Sequence, residues 1–593
     1  MNTCHHCSQP FEITDSDRAF YQKVEVSEPT HCPACRLQRR LAYRNESHLY
    51  QRTCDLCQKG VFSLYDMDAP FPVYCTDCWW SDRWDPEAYG RDYDFNRPFF
   101  EQFAELLTVV PQACTLQLNN ENSEFNSLIA YSKNAYMCAG SYFMEDSYYC
   151  RKSQYCRDCM HSHFLDHCEL VAYSTNCKNC YSAHHLLNCR NCSASAYLAN
   201  CSNCKNCFMC SDLNEKEYHF KNQAVGKEEY ERLRKEYAQK DPKAVMEEFM
   251  AFNQSVPKRN LNLLNCENST GDYLSSASNA EVCFDSFDIQ DSKYLTECVT
   301  VKDSMDLTCH DKEIQLCYEM VTGGESNYQS KFGVCSCAGP NNSYCLSTFY
   351  LSDSFGCISF HSRKRNCILN KAYSPERYAE LKARIVEHMK STGEWGEFFP
   401  IANSTYAYNQ TLAQVYFPLT KETALAQGYR WKEEVERGDG PSAALRCEAC
   451  NKAYRTVPQE KNLAGKIGVE SSSKCLECMD RHLLSWKNPR ALWPRNCDLC
   501  HASMMSSYAP GRLEKVYCGS CYSQMVYGGV AFKYNLSMIF YLCVGRLTHL
   551  FQFWHLAWDL TFVSSGFHFC LLMDICSTKA KIVRPSLLVS VVI

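Results

Sequence analysis

Basic charge is scarce in this chain: 61 Lys and Arg stand against 67 Asp and Glu, a formal net charge of −6. That balance argues against a protein whose main task is coating nucleic acid, because phosphate binding is chiefly Lys and Arg neutralising backbone charge. No secretory signal is readable either, since Met1-Asn2-Thr3-Cys4 leads straight into a cysteine pair with no basic region and no apolar core. Long apolar runs are absent too. The richest stretch, about 535 to 576, is broken by Arg546, His549, His555 and Asp559, so no clean window of about twenty apolar residues exists. No His/Cys or Ser/His/Asp arrangement, phosphate loop or open metal site can be read, which leaves no enzyme class to name.

What the chain has is cysteine, 43 in 593 residues. Such density means a disulfide scaffold in a secreted protein or metal sites in an intracellular one. Without a readable signal, the expectation is a reducing cytoplasm. Four Cys-x2-Cys pairs open the chain, at Cys4/Cys7, Cys32/Cys35, Cys54/Cys57 and Cys75/Cys78, and the same block returns as Cys447/Cys450, Cys475/Cys478, Cys497/Cys500 and Cys518/Cys521, every residue displaced by 443 positions. Other residues keep this register: Asn45 and Asn488, Arg52 and Arg495, Asp55-Leu56 and Asp498-Leu499, Val73-Tyr74 and Val516-Tyr517. Each pair is a tight turn aiming two thiolates at one ion, and two pairs complete a tetrahedral shell. Pairing is expected to be sequential, with a cross-braced arrangement left open by spacing alone. Four sulfurs per ion leave no open position, so about four structural zinc ions are expected. His5 and His6 are expected to face solvent rather than ligate. The helix candidate through Arg36, Arg39, Arg40 and Arg44 is expected to show a solvated basic face.

From about 120 to 222 the pattern becomes a twelve-residue repeat. Cys156, Cys168, Cys180, Cys192 and Cys204 form one column, Cys177, Cys189 and Cys201 another, and Asn176, Asn188 and Asn200 a third, with small or apolar residues at every third position. Neither the helix period nor the strand period gives that spacing. Stacked coils of twelve residues with four inward positions do, and they build a parallel β-solenoid. The run Cys201-x2-Cys204-x2-Cys207-x2-Cys210 departs from the usual iron–sulfur spacing in its last gap. These central thiols are expected to pack as small buried hydrophobes. A second, weaker repeat runs from about 258 to 372, with Cys309, Cys345 and Cys357 in one phase. Its exit echoes the first: Asn222, Glu228, Tyr230 and Leu233 align with Asn370, Glu376, Tyr378 and Leu381 at a constant offset of 148.

The expected architecture is multidomain and mainly β: a double zinc-ribbon module (1–85), an aromatic connector (86–119), a β-solenoid (120–222), a helical cap (223–257), a second solenoid (258–372), a helix and linker (373–440), a second double zinc module (441–525) and a hydrophobic tail (526–593). The tail reads as disordered or as a reading-frame artefact in preference to a membrane-associated segment.

Over residues 1 to about 525 the chain resembles the uncharacterised cysteine-rich zinc-ribbon proteins of candidate-phyla-radiation bacteria. The likeness rests on Phe20-Tyr21-Gln22-Lys23, Pro29-Thr30-His31-Cys32-Pro33-Ala34-Cys35-Arg36, Asn366-Cys367-Ile368-Leu369-Asn370-Lys371, Gly393-Glu394-Trp395-Gly396-Glu397-Phe398-Phe399-Pro400 and Val516-Tyr517-Cys518 with Cys521. The second module lacks the Phe-Tyr-x-Lys and Pro-x-x-Cys-Pro features, and the tail departs altogether. The resemblance implies zinc and no known activity. The functional expectation is a zinc-binding, non-enzymatic scaffold for a protein partner. Nucleic-acid binding through the zinc modules is the alternative, and an enzyme with its site in a solenoid groove is the second.

Overall fold

A computed structural model describes residues 1–308, 314–323, 327–433 and 445–526. The hydrophobic-tail expectation and Cys309 therefore fall outside the described residues. The fold is mixed and mostly strand, with twelve α-helices among the described residues. No helix among them is long and apolar enough to cross a membrane.

Strands from Gln117–Leu118 to Gln223–Ala224 form one twelve-stranded sheet. Apart from the antiparallel closing pair of Glu217–Phe220 with Gln223–Ala224, its neighbours pair in parallel twelve residues apart: Tyr148 with Met160, Met160 with Ala172, Ala172 with His184, His184 with Ala196, and Ala196 with Phe208. Within each twelve, every third residue is buried, as in Cys150, Ser153, Cys156, Cys159, Ser162, Leu165 and Cys168. The residue two places after each of these bends the chain with a positive φ, for example Lys152 (52°), Tyr155 (52°), Asp158 (51°) and His161 (45°). That conformation is costly for most L-residues and mildest for Asn and Asp. The asparagine columns stand at these bends, with Asn179, Asn191 and Asn203 at φ 52°, 50° and 53°. Their amides donate along the column, Asn179 to Asn191 at 3.0 Å and Asn191 to Asn203 at 2.8 Å.

The inward Ser and Cys residues share one polar role. Ser174 Oγ donates to the carbonyl of Ala172 at 2.9 Å and accepts from the Leu186 N–H, one coil on, at 3.1 Å. Cys138 does the same, its thiol facing the Tyr136 carbonyl at 3.7 Å and accepting from the Cys150 N–H at 3.4 Å. A small side chain that both donates and accepts therefore satisfies backbone groups at the bends that the ladder leaves unpaired.

The second β region keeps this plan with uneven coils. Leu263 pairs with Leu274, eleven residues on, Ala277 with Ile289, twelve on, and Val321 with Val334, thirteen on. Each change of length shifts the inward positions, which is why its repeat is faint. Both regions end alike. The Asn222 side chain accepts from the Ser211 N–H and donates to the Ser211 carbonyl, both at 2.9 Å. Asn370 closes on Ile358 in the same way, at 2.7 and 2.9 Å. Each asparagine pairs with the backbone of the preceding coil as the ladder ends. The expected single helix after the first region is two helices, Lys227–Tyr237 and Pro242–Ser255, because Asp241 caps a new helix whose first residue is Pro242.

One expectation about packing is corrected, and the connector and cysteine modules dock in ways that spacing did not indicate. The helix Pro33–Leu41 does not present a solvated basic face. Arg36 and Arg40 are 1% and 0% exposed and share the Asp306 carboxylate, at 2.8 and 3.2 Å, while Arg39 meets Glu319 at 2.6 Å and Arg44 pairs with Glu46. Arg36, Arg39 and Arg40 dock the helix on the second β region. The connector also turns there: Phe99, in the helix Phe99–Leu107, packs against Tyr344 and Phe355, each at 5.3 Å between ring centroids. Nor are the cysteine modules end pieces. The helix Leu476–Ser485 lies on the first β region, where Asp480 receives Arg151 and His163, and Met479 and Leu483 pack with Tyr148 and Met160. Each module holds the other β region by its second strand pairing: Val73–Tyr74 pairs with Gln112–Ala113 at the entry to the first region, and Val516–Tyr517 with Lys258–Arg259 at the entry to the second. Both modules therefore span the two β regions. Between them a buried network runs from Lys487 and Arg490 to Asp285, and from Arg490 and Lys152 to Glu297.

Candidate metal centres

The sixteen cysteines singled out by spacing converge as four groups: Cys4/Cys7/Cys32/Cys35, Cys54/Cys57/Cys75/Cys78, Cys447/Cys450/Cys475/Cys478 and Cys497/Cys500/Cys518/Cys521, with all sulfurs of a group within 4.8 Å of one another. Consecutive pairs share a group, so the cross-braced arrangement is not the one adopted. All four groups are built alike. The first pair of each sits at the tip of a short antiparallel hairpin, such as Tyr50–Thr53 with Gly60–Ser63 or Trp493–Asn496 with Ser503–Ser506. The residue after each such pair is left-handed, namely Ser8, Gln58, Asn451 and His501 at φ 58° to 61°. Its N–H returns to the carbonyl of the first cysteine at 2.9 Å in every case, and this turn swings both sulfurs to one side.

The second pair of each group opens a helix. Cys32, Cys75 and Cys475 are N-cap residues, and Cys518 immediately precedes the helix Gly519–Val526. The fourth cysteine falls in the first turn. Both sulfurs therefore stand at the positive end of a helix, which favours thiolate. Backbone N–H groups add to this, Cys32 to Cys4 Sγ at 3.3 Å, Cys75 to Cys54 at 3.2 Å and Cys518 to Cys497 at 3.3 Å. The Ser520 hydroxyl, 3.2 Å from Cys518 Sγ, leads the hydrogen bonds that draw that thiol down to about 6. Arg83 donates to Cys78, and Arg481 to Cys478 at 3.1 Å, bringing cations to sulfurs that carry negative charge as ligands.

Sulfur separations test whether a metal ion fits. A tetrahedral ion with metal–sulfur bonds of about 2.3 Å spaces its sulfurs about 3.8 Å apart, whereas a disulfide needs about 2.05 Å. The separations are 3.9 Å for Cys7–Cys32, 3.8 Å for Cys57–Cys75, 3.7 Å for Cys450–Cys475 and 3.8 Å for Cys500–Cys518. The four groups could each hold one ion, in a closed shell suited to structure and not to substrate binding. His5 and His6 belong to no group: His5 is exposed, and His6 is half-buried with its ring stacked on His31 at 6.2 Å.

The central cysteines behave differently. Among the described residues no further group brings three ligand atoms together. In the run Cys201, Cys204, Cys207 and Cys210 each thiol faces the carbonyl two residues earlier, at 3.3 to 3.4 Å.

Sequence reasoning registered the residues around the sites without reading their task. Asp55 accepts from the Val73 N–H at 2.6 Å and from Arg52 at 2.9 Å; Asp498 accepts from Val516 at 2.6 Å and from Arg495 at 3.1 Å. The shared residues between the cysteines thus tie each hairpin tip to the strand that enters a β region. No protein-family model matches the chain, and no curated protein is found to be similar to it.

Proposed function

We propose that this chain is a structural zinc protein, in which four Cys4 zinc ions hold two stacks of twelve-residue coils together as a non-enzymatic scaffold for a protein partner. The stacks are read as two β-solenoids, on the strength of parallel pairing at twelve-residue intervals in the first region and at eleven to thirteen in the second. The observation that carries the zinc reading is the separation of 3.7 to 3.9 Å between paired knuckles in all four groups, combined with all-sulfur donors. The resemblance to zinc-ribbon proteins of candidate-phyla-radiation bacteria favours the same metal and adds no activity. A reducing cytoplasm is proposed with it, because Cys4 groups able to hold metal ions call for a compartment that keeps thiols reduced.

The nucleic-acid alternative loses its best patch, because Arg36, Arg39, Arg40 and Arg44 are ion-paired in the interior. Native mass spectrometry with elemental analysis tests the zinc reading. Four zinc ions per chain are expected; an apo chain, or iron with a visible chromophore, would overturn it. The scaffold reading is tested by affinity capture with the intact chain, where reproducible recovery of no protein partner would count against it.

A further inference from the structure

A cleft of about 400 Å³ opens where three parts meet: the bends of the first β region at Ser182 and Asn206, the helix Lys227–Tyr237, and Ile467 at the end of the helix Pro458–Ile467. That volume is in the range of small-molecule sites. Asn206 is committed to the Glu217 carboxylate at 3.3 Å and Ser195 to the Ser193 carbonyl at 2.8 Å, which leaves Arg234, Lys235 and His184 as the basic side chains that line it. Arg234 lies with its guanidinium over the Phe208 ring at 4.7 Å, and among the described residues no carboxylate is within ion-pair range of it. Lys235, next on the helix, is exposed at the same opening. His184 lines the cleft although it is only 8% exposed, and among the described residues its ring has one polar partner, His185, Nδ1 to Nδ1 at 2.8 Å. Only one of the two facing nitrogens carries a proton; in the tautomer in which His185 donates, the proton of His184 sits on Nε2. Nearby Tyr230 is already committed, donating to the Ala194 carbonyl at 3.2 Å.

A buried imidazole and an unpaired guanidinium beside one another repel any added proton and lack a counter-charge. That is an arrangement a bound anion would complete. We infer that this cleft is a binding site for a small oxyanion, a phosphate or carboxylate group of a metabolite, held by Arg234, Lys235 and the His184 N–H. Glu231 stands at the rim and opposes such a ligand, its charge partly met by Lys227 at 4.0 Å.

Calorimetric titration of the zinc-loaded full chain tests this with two probes, inorganic phosphate and acetate, and the probe that binds identifies the source of the anion. Saturable binding of at least one probe is expected, weakened about tenfold or more in Arg234→Gln and in His184→Gln. Lys235→Gln, at an exposed site that folding does not need, should weaken it about threefold, and Glu231→Gln should tighten it. Far-UV circular dichroism and zinc content establish that each variant is folded; if the variant at half-buried Arg234 or at buried His184 is not, the exposed pair decides. No saturable binding of either probe, binding indifferent to Lys235→Gln, or weakening by Glu231→Gln would overturn the inference.

Discussion

Buried arginine is the residue-scale feature that most separates this fold from its sequence pattern. Arg36 and Arg40 both lean on Asp306, whose side chain is fully buried. Removing one partner of such a group leaves charge without solvation. Arg36→Met should therefore destabilise the chain by about 3 kcal/mol, read as a drop in the urea midpoint with unchanged zinc content. Buried thiols set the response to alkali. Burial pushes Cys283 and Cys367 each up to about 12, whereas an unfolded thiol ionises near 8.5. The stability these thiols contribute is fully present below the unfolded value and is lost as pH rises toward the folded one, by about 1.4 kcal/mol per unit for each thiol. Urea unfolding between pH 9 and 11 should show stability falling with pH, and Cys283→Ser should reduce that slope by about one proton. An unchanged slope would mean that Cys283 is not a buried neutral thiol.

At the scale of the element, each coil depends on its inward hydroxyls and thiols as much as on its ladder. Ser174→Ala leaves the Leu186 N–H without its acceptor inside the coil and should cost about 1 to 3 kcal/mol, while Ser174→Cys keeps a donor and acceptor and should cost less than half as much. Hydrogen exchange at Leu186 would report the same difference. The cysteine modules should lose metal one ion at a time: Cys4→Ser should lower native-mass zinc from four to three, because each group is a separate shell of four sulfurs. This much of the site was legible in sequence, since a Cys-x2-Cys turn fixes both thiols locally. Of the helices opened by the second pairs, the one through Arg36 was legible, but that every second pair opens one was not, because cysteine is no strong N-cap and the helices after Cys75 and Cys518 span only Thr76–Trp79 and Gly519–Val526.

At the scale of the whole molecule, the modules act across the two β regions. The first module enters one region through Val73–Tyr74 and docks on the other through Arg36; the second enters through Val516–Tyr517 and docks through Met479 and Asp480. Chelation should thus loosen the junction before the coils. In hydrogen exchange after metal removal, protection should fall first in Pro33–Leu41, Leu476–Ser485 and the strands Val73–Tyr74 and Val516–Tyr517. Residues 160–211 should stay protected longer. Simultaneous loss everywhere would mean that the metal sites fold the coils as well.

By itself the sequence determined what is written in short-range spacing: four pairs of cysteine pairs, the twelve-residue period, and the repeated exits at Asn222 and Asn370. Such patterns are legible because a turn, a bend or a ladder rung is dictated by residues at fixed separations. The tertiary structure alone decided which surfaces those units cover. The aligned positions Arg36 and Met479 dock by opposite chemistry, one to a buried carboxylate and one to an apolar flank. A basic helix face reads the same in sequence whether water or Asp306 and Glu319 await it. The partner lies some 270 to 280 residues away and no local period points to it.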